Sequence, residues 1–262
     1  MADSERRLES RLGASTLDRV WVRGFDLCRD LLGQVNLGDM AFLELRGRLP
    51  TKGESRVTNA ILVALVEHGI TPSALATRLT YLGAPEAVQA AVAAGLLGLG
   101  SVFVGSIEGA ARLLTETLAA APADADPKAL AAAKVAELRG RKATIPGIGH
   151  RTHVQGDPRT ARLFAIAAEE GLHGRYVALM EAIGEAASQA SGRPLPVNAT
   201  GAIGALLCEM GFDPRVARGF GVMSRAIGLV GHIFEELQHP MAREVCDRVE
   251  RETNRPPEGN AP

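Results

Sequence analysis

Apolar residues recur at helical spacing through most of this chain, and this periodicity constrains the fold more than any other feature. Ile61, Leu62 and Leu65 show the spacing, and Gly69 follows as a natural C-terminal stop. No segment alternates apolar and polar residues over a useful length, and aromatic residues make up only 4% of the chain. Abundant Ala and Gly allow close approach between helices. The pattern predicts an all-α protein, a tightly packed globule of many helices.

Capping and turn signals divide the chain into successive predicted helices. Thr71-Pro72 and Asp157-Pro158 each place a capping residue before a proline, which the first turn of a helix accepts. Residues 119–127 form a connector of low hydrophobicity. Helices are predicted over 61–68, from 72, over 86–97, 105–118 and 128–139, from 157, and over 176–191, 201–210 and 214–237.

The charges of the 262-residue chain nearly cancel, with 29 Lys and Arg against 30 Asp and Glu. This balance gives no electrostatic reason for a nucleic-acid or membrane partner, so an anionic ligand needs a local cluster of Arg and Lys. The longest apolar run, 90–100, is too short to span a bilayer. The charged N-terminus is not a signal peptide, and three irregularly spaced cysteines predict neither a disulfide framework nor a zinc site. We expect a cytoplasmic protein that binds no metal.

The loop 146–151, followed by Asp157-Pro158-Arg159, carries the clearest chemical signal. Its glycines allow backbone amides to approach an anionic group. His150 has the side chain whose unperturbed pKa lies near neutrality, and Arg151 and Arg159 offer forked donors for carboxylates. On its own the string is a modest signal, since a surface loop with an exposed His and Arg has the same composition.

Four ordered blocks give the chain a family resemblance. The loop block resembles the signature of citrate synthases and of the lyase module of ATP-citrate lyase, and the chain looks most like the small citryl-CoA lyases. The resemblance spans roughly 39–246. The other three blocks are Arg48-Leu49-Pro50 with Glu67-His68-Gly69, then Asn198-Ala199-Thr200-Gly201-Ala202-Ile203-Gly204, and Ser224-Arg225-Ala226-Ile227-Gly228 with Gly231-His232.

This resemblance implies a citrate-synthase-like fold with a large helical domain and a smaller helical lid. We expect an N-terminal helical segment over 1–38, the main helical domain over 39–250 with the lid at roughly 127–212, and a disordered tail over 251–262. The family also implies a homodimer, or a dimer of dimers.

The resemblance further implies a role for each matched residue. Members of the family close over an oxaloacetate or citrate moiety and a CoA thioester, so coenzyme A would be bound as part of the substrate. His150 would polarise the carbonyl or handle the tertiary alkoxide, and His68 would be the second substrate-side histidine. Arg159 and Arg225 would bind substrate carboxylates. Binding of CoA would fall to Gly147, Ile148, Gly149, Arg151 and Lys142.

Each of these residues also has a structural interpretation that the residues alone leave open. His68 could simply end its helix, where a cation is favourable. Arg225 could be an exposed helix residue, and Lys142 a solvated surface cation. His232 lies on an apolar helix face and is expected to be a packed, hydrogen-bonded histidine rather than a catalytic one.

Two positions depart from the citrate synthases. Thr200 stands where their catalytic Asp lies, and a threonine hydroxyl has far too high a pKa to act as a general base near neutral pH. Val104 stands where they place a histidine at the enolate oxygen. The lyase module of ATP-citrate lyase also has an apolar residue there and uses an earlier histidine, which matches His68. Glu67, Glu108 and Glu209 match no catalytic position of the family.

Three functions therefore stay open. The first is reversible cleavage of citryl-CoA, or a related 3-hydroxy-3-carboxyacyl-CoA, to acetyl-CoA and a 2-oxoacid such as oxaloacetate, with Thr200 at the catalytic position. The second is a different acyl-CoA reaction, such as thioester hydrolysis. The third is a protein that binds CoA or a tricarboxylate without catalysis.

Overall fold

The computed structural model describes residues 9–150 and 152–254, which form eleven α-helices after a small N-terminal sheet. The all-α prediction is confirmed, and the predicted helices all occur. They are α1 (Leu37–Arg46), α2 (Lys52–Val66), α3 (Pro72–Gly83), α4 (Val88–Leu97), α5 (Gly105–Ala119), α6 (Pro127–Gly140), α7 (Pro158–Glu169), α8 (Arg175–Ser191), α9 (Ala199–Glu209), α10 (Pro214–Gln238) and α11 (Ala242–Thr253).

Side-chain caps fix where most of these helices begin. In each case a short polar side chain accepts hydrogen bonds from backbone N–H groups of the first turn, which have no partner inside the helix. Thr71 and Asp157 cap α3 and α7, each followed by a proline, as their sequence predicts. The other capping side chains are Asn36, Thr51, Asp126, Asn198 and Asp213.

Residues 9–36 contain a small sheet and one π-helical turn and not the helical segment that was predicted over residues 1–38. Within the described part of that segment, β1 (Gly13–Ser15), β2 (Val20–Val22) and β3 (Phe25–Asp26) form an antiparallel sheet in the order β1-β2-β3, followed by a π-helical turn over Leu27–Leu31. The β2–β3 hairpin turns through two residues, Arg23 and Gly24, both with positive φ. Such turns match the twist of paired strands. Strands of two or three residues are too short to show alternation, which explains the error.

The predicted disordered tail, 251–262, is also corrected in part. Helix α11 continues to Thr253, with an Arg248–Glu252 ion pair one turn apart and an Arg251–Glu244 pair along its surface. These contacts and the remaining backbone bonds support a last turn that has no apolar face. Residues 255–262 lie outside the described residues.

The core is continuous around α10, the longest helix, which contacts α2, α3, α4, α5 and α9. Phe42, Phe212 and Phe220 stack edge to face in its centre, with ring centroids 5.1 and 5.0 Å apart. Helices α5 and α9 approach closely at Gly204, where a Cβ atom would lie 2.9 Å from Ala110 Cβ. Small residues thus permit the tight packing that the composition predicts.

The lid predicted at roughly 127–212 corresponds to α6–α9. Buried apolar side chains run without a break from α1 and α2 into these helices, and the division into domain and lid stays a prediction. No helix among the described residues is long and apolar enough to cross a membrane.

Candidate functional site

A cavity with a volume of about 750 Å³ is within the size range of small-molecule sites. It lies where the turn after α2, the segment before α5, the loop 146–150, the starts of α7 and α9, and the middle of α10 meet. The structure brings six of the predicted site residues to its wall: His68, Gly149, His150, Arg159, Thr200 and Arg225.

The glycine loop is held against the segment that precedes α9. Ile148 pairs with Val197 in an antiparallel bridge. The backbone N–H of Gly149 donates to Pro196 O (2.7 Å), and the side-chain amide of Asn198 donates to Gly149 O (2.7 Å). Asn198 also caps α9. One asparagine therefore fixes the loop and the helix start that carries Thr200.

Gly147 and Gly149 both have positive φ, but their surroundings differ, and this gives a matched prediction. A Cβ atom at Gly147 would lie 2.4 Å from Gly201 Cα, whereas at Gly149 it would only touch Leu195 Cδ2 at 3.5 Å. Gly149→Ala therefore costs the left-handed strain alone, about 1–2 kcal/mol. Gly147→Ala adds a backbone clash and destabilises the protein more. Urea unfolding measures both free energies, and equal losses would contradict the close approach.

His150 is held in one tautomer by its own loop. Its Nδ1 accepts hydrogen bonds from the backbone N–H groups of Thr152 and His153, both at 3.0 Å. In the neutral ring the hydrogen therefore resides on Nε2. Burial, and next the adjacent His153, lower the pKa of His150. At neutral pH the ring is thus an uncharged donor at the cavity wall, suited to a carbonyl or alkoxide oxygen.

Arg159 is braced by a buried carboxylate. Its Nε and Nη2 donate to the two oxygens of Asp157, at 3.0 and 2.9 Å, and the backbone N–H of Ala199 donates to the same carboxylate at 3.0 Å. Asp157, predicted only as a helix cap, therefore joins α7 to α9 and orients the guanidinium of Arg159. Within the described part of the chain, Arg159 Nη1 has no bonded acceptor and is left for a ligand.

Asp157 gives a pH-dependent prediction. Burial alone would raise its pKa, but hydrogen bonds from Arg159 and Ala199 lower it to about 2 from the ordinary 3.8. A lowered folded-state pKa stabilises the protein above the unfolded value, and that contribution is lost as the pH falls from about 4 to about 2. It amounts to about 2 kcal/mol. We expect Asp157→Asn to remove it at pH 7 and to flatten this part of the pH dependence of the unfolding free energy.

The matched control is Asp213, which starts α10 in the same Asp-Pro-Arg tripeptide and pairs with Arg215 in the same way. Asp213 is exposed to solvent, which screens its ion pair. Asp213→Asn should therefore cost clearly less than Asp157→Asn in urea unfolding at pH 7. Equal losses would show that the buried position of Asp157 contributes nothing.

Arg225 supplies a second cation, and its environment favours an anionic ligand. The side chain is only 9% exposed, and its Nη1 is buried with no hydrogen-bond partner among the described residues. Burial lowers the pKa of Arg225, and the nearby Glu67 opposes this. A buried cation with an unmade hydrogen bond is costly, and a carboxylate in the cavity would remove that cost. Arg225 is therefore not the exposed helix residue of the alternative interpretation.

His68 lies two residues beyond the end of α2, which stops at Val66. It is exposed and lines the cavity. Partial desolvation of the ring at the cavity wall first, and then the positive charges of Arg159 and Arg225, lower the pKa of His68. The second histidine of the site is thus also uncharged at neutral pH, because both Arg159 and Arg225 disfavour a positive charge on its ring.

Thr200 occupies the second position of α9 on the cavity wall, and its hydroxyl is already used. It donates to Asn198 Oδ1 at 2.7 Å, the oxygen that also accepts the N–H groups of Thr200 and Gly201. This side chain presents no acid or base to a ligand.

A second cavity, of about 480 Å³, opens beside the first and shares Gly149 and His150 with it. It is lined by Arg193, an exposed cation on the loop before α9 that the sequence interpretation missed. Of the residues predicted to bind CoA, only Gly149 lines these cavities. Gly147 and Ile148 are held in the loop by their backbone contacts, Lys142 is exposed on the surface, and Arg151 lies outside the described residues.

Two histidines and two arginines thus line one cavity, a set of side chains that suits a ligand with several carboxylates. In the described part of the chain, no cluster of three or more metal-binding side chains occurs. The citrate synthase C-terminal domain matches residues 32–251. The chain therefore belongs to the citrate synthase family. A search of curated protein sequences finds no match.

Solved structures agree with this assignment. Citryl-CoA lyase from Hydrogenobacter thermophilus matches with a TM-score of 0.85 and 34% identity, covering 98% of this chain and 96% of that one. A Methanosaeta concilii ATP citrate lyase in complex with (3S)-citryl-CoA matches with a TM-score of 0.72 and 21% identity, covering 89% of this chain and 39% of that one. Citrate synthase from Thermoplasma acidophilum, with carboxymethyl coenzyme A and oxaloacetate, matches with a TM-score of 0.64 and 20% identity, covering 78% and 54%.

Proposed function

We propose that this protein is a citryl-CoA lyase that cleaves citryl-CoA, or a related 3-hydroxy-3-carboxyacyl-CoA, to acetyl-CoA and a 2-oxoacid such as oxaloacetate. The observation that carries the proposal is the single cavity in which His68, His150, Arg159 and Arg225 meet. The similarity of this chain to a citryl-CoA lyase, over almost its whole length, supports the same reaction.

Cleavage breaks the bond between the hydroxyl-bearing carbon and the methylene of the thioester. The hydroxyl gives up its proton to water as its oxygen becomes the carbonyl of the 2-oxoacid. The bonding pair passes to the enolate of acetyl-CoA, whose carbon takes up one proton from water, so that no net proton is released or consumed. His150 Nε2–H stabilises the oxygen that becomes the carbonyl. Arg159 and Arg225 bind the carboxylates of the substrate, and His68 donates a hydrogen bond to the thioester oxygen.

Coenzyme A enters this proposal as part of the substrate. The cavity beside His150 offers it a place, because the Gly149 backbone and Arg193 lie along its wall. A guanidinium at the mouth suits the phosphates of CoA. Gly147, Ile148, Arg151 and Lys142 keep their predicted part in CoA binding as a proposal.

Incubation of the purified protein with citryl-CoA, with released oxaloacetate followed by a coupled dehydrogenase, tests the function. We expect turnover well above the uncatalysed rate. Arg225→Gln removes the charge but keeps a side chain of similar reach, and we expect it to raise KM or abolish citrate binding in calorimetry. Absence of turnover across several hydroxyacyl-CoAs would reject the proposal.

A second candidate is supported by Thr200. Because its hydroxyl is bonded to Asn198 and no carboxylate replaces the family's Asp there, a reaction that needs no proton transfer at the acetyl carbon, such as thioester hydrolysis, fits the same cavity. Mass spectrometry of the citryl-CoA reaction separates the two, because hydrolysis yields citrate and CoA instead of oxaloacetate and acetyl-CoA. Binding in calorimetry without any product would identify a non-catalytic CoA or tricarboxylate binder.

We propose that the chain forms a homodimer, or a dimer of dimers, through α10. Ile227, Val230, Phe234 and Leu237 are each more than half exposed and recur at helical spacing. Such a stripe is typical of an interface. Phe234→Glu should reduce the mass measured by light scattering to that of one chain. Val249→Glu, at an exposed position of α11, is the control and should leave it unchanged. A wild-type monomer would reject the proposal.

A further inference from the structure

A chain of buried ionisable side chains lies behind the site and ends at its wall. Arg78, on α3, is only 1% exposed. Its Nη1 donates to Glu236 (2.7 Å), its Nε donates to His232 Nδ1 (3.2 Å), and Nη2 also bonds Glu235. On the other side of the ring, His232 Nε2 lies 3.1 Å from one carboxylate oxygen of Glu67. We call Arg78, His232 and Glu67 the support chain.

The direction of every bond in the support chain is set by chemistry. A guanidinium has no acceptor, so His232 Nδ1 must accept from Arg78 and Nε2 must carry the ring hydrogen. That hydrogen is donated to the carboxylate of Glu67. Arg78 is itself oriented by Glu236, whose other oxygen accepts the backbone N–H groups of Met241 and Ala242 at 2.9 and 2.8 Å.

At its other end, the support chain holds the turn that carries His68. Glu67 Oε1 accepts the backbone N–H groups of His68 (2.8 Å) and Gly69 (2.5 Å). These residues lie outside α2 and α3, so no helix fixes their backbone. Glu67 is half-exposed at the cavity wall, and its carboxylate takes the place of the missing helical bonds.

One face of α10 joins this support to ligand binding. Arg225, Gly228 and His232 are spaced three and four residues apart and share that face. Gly228 permits the contact, since a Cβ atom there would lie 2.0 Å from Val66 O and 3.4 Å from Glu67 Oε2. The carboxylate of Glu67 thus lies along α10 beside both Arg225 and His232.

We propose that His232 is a positioning residue that fixes His68 through Glu67. Burying charged side chains costs desolvation energy, so the support chain contributes little to stability. Its value is expected to lie in positioning, because catalytic side chains must be held closely in place. The inference rests on the proposed function for its kinetic readout only. The sequence predicts a packed, hydrogen-bonded histidine at His232, and the structure confirms it. Its hydrogen bond to Glu67 connects it to the site.

The test uses the ligand-free protein labelled with ¹³C at its histidines. The His68 ring signal is assigned by its loss in His68→Gln. We expect Glu67→Ala and His232→Leu to shift or broaden that signal, and to lower kcat by about ten- to a hundredfold with a smaller change in KM. Glu67→Gln keeps an acceptor for the two backbone N–H groups but turns an amide donor towards His232 Nε2–H, so it should restore only part of both. His239→Gln, at an exposed histidine after α10, is the matched control.

An unmoved His68 signal in folded Glu67→Ala protein would overturn the inference. The inference would also be overturned if Glu67→Gln were as inactive as Glu67→Ala while the His68 signal of Glu67→Gln stayed unmoved. Glu67 would then act on the substrate itself. If His232→Leu does not fold, the two Glu67 variants decide. A shifted signal in a protein without citryl-CoA turnover would reject the proposed function and leave the inference standing.

Discussion

Replacement of His150 by alanine should lower kcat for citryl-CoA cleavage by about 10²–10³-fold, the usual cost of losing one donor to a developing oxyanion. The loop presents this ring with Nδ1 bonded to two backbone N–H groups, so Nε2 is the donor. Because burial and the neighbouring His153 lower the pKa of His150, the ring should act uncharged at pH 7. Steady-state release of oxaloacetate measures the effect, and a thermal melt confirms that the variant folds.

His173→Ala is the control for this prediction. His173 is an exposed histidine that pairs with Glu181 at 3.3 Å, and it lines neither cavity. Its loss should leave kcat near the wild-type value. A His150→Ala variant that raises only KM would contradict the donor role, since ground-state binding would then be all that the ring provides.

The helices and the site loop could be predicted because their signals are local. Thr71 and Asp157 cap helices through bonds to the next two or three residues, and proline follows each directly. The same holds for Asn198, which caps α9 within one turn. Family motifs then identified residues that the structure brings to one cavity from five separate segments, although periodicity alone gives no information on their contacts.

The support chain and the role of Asp157 could not be predicted from local patterns. His232 contacts Arg78 and Glu67 across 154 and 165 residues of sequence, and nothing near either partner signals the contact. Asp157 looks like any other helix cap in the sequence, yet burial against Ala199 gives it a second function. The short N-terminal strands were missed because pairing across a two-residue turn, not side-chain alternation, forms them.

Thr200→Asp should raise kcat for citryl-CoA cleavage by about 10²–10⁴-fold, the usual value of a placed general acid or base. Thr200 is the second residue of α9, where a negative charge is favourable, so the variant should fold. An aspartate cannot donate to Asn198 Oδ1 as the threonine hydroxyl does. Its carboxyl group is therefore expected to turn from that oxygen towards the cavity, where its protonated form would give a proton to the enolate carbon.

Two further variants at this position separate a proton-transfer effect from a change of shape. Thr200→Asn has the size of aspartate but no titratable group, and Thr200→Ser keeps the hydroxyl bonded to Asn198; neither should gain activity. If Thr200→Asn gains as much as Thr200→Asp, the carboxyl group is not transferring a proton. If wild-type kcat is already typical of enzymes, at about 10 s⁻¹, and Thr200→Asp does not raise it, another group supplies the proton. Glu67, which lines the cavity, would then be the first residue to reassign from support to catalysis.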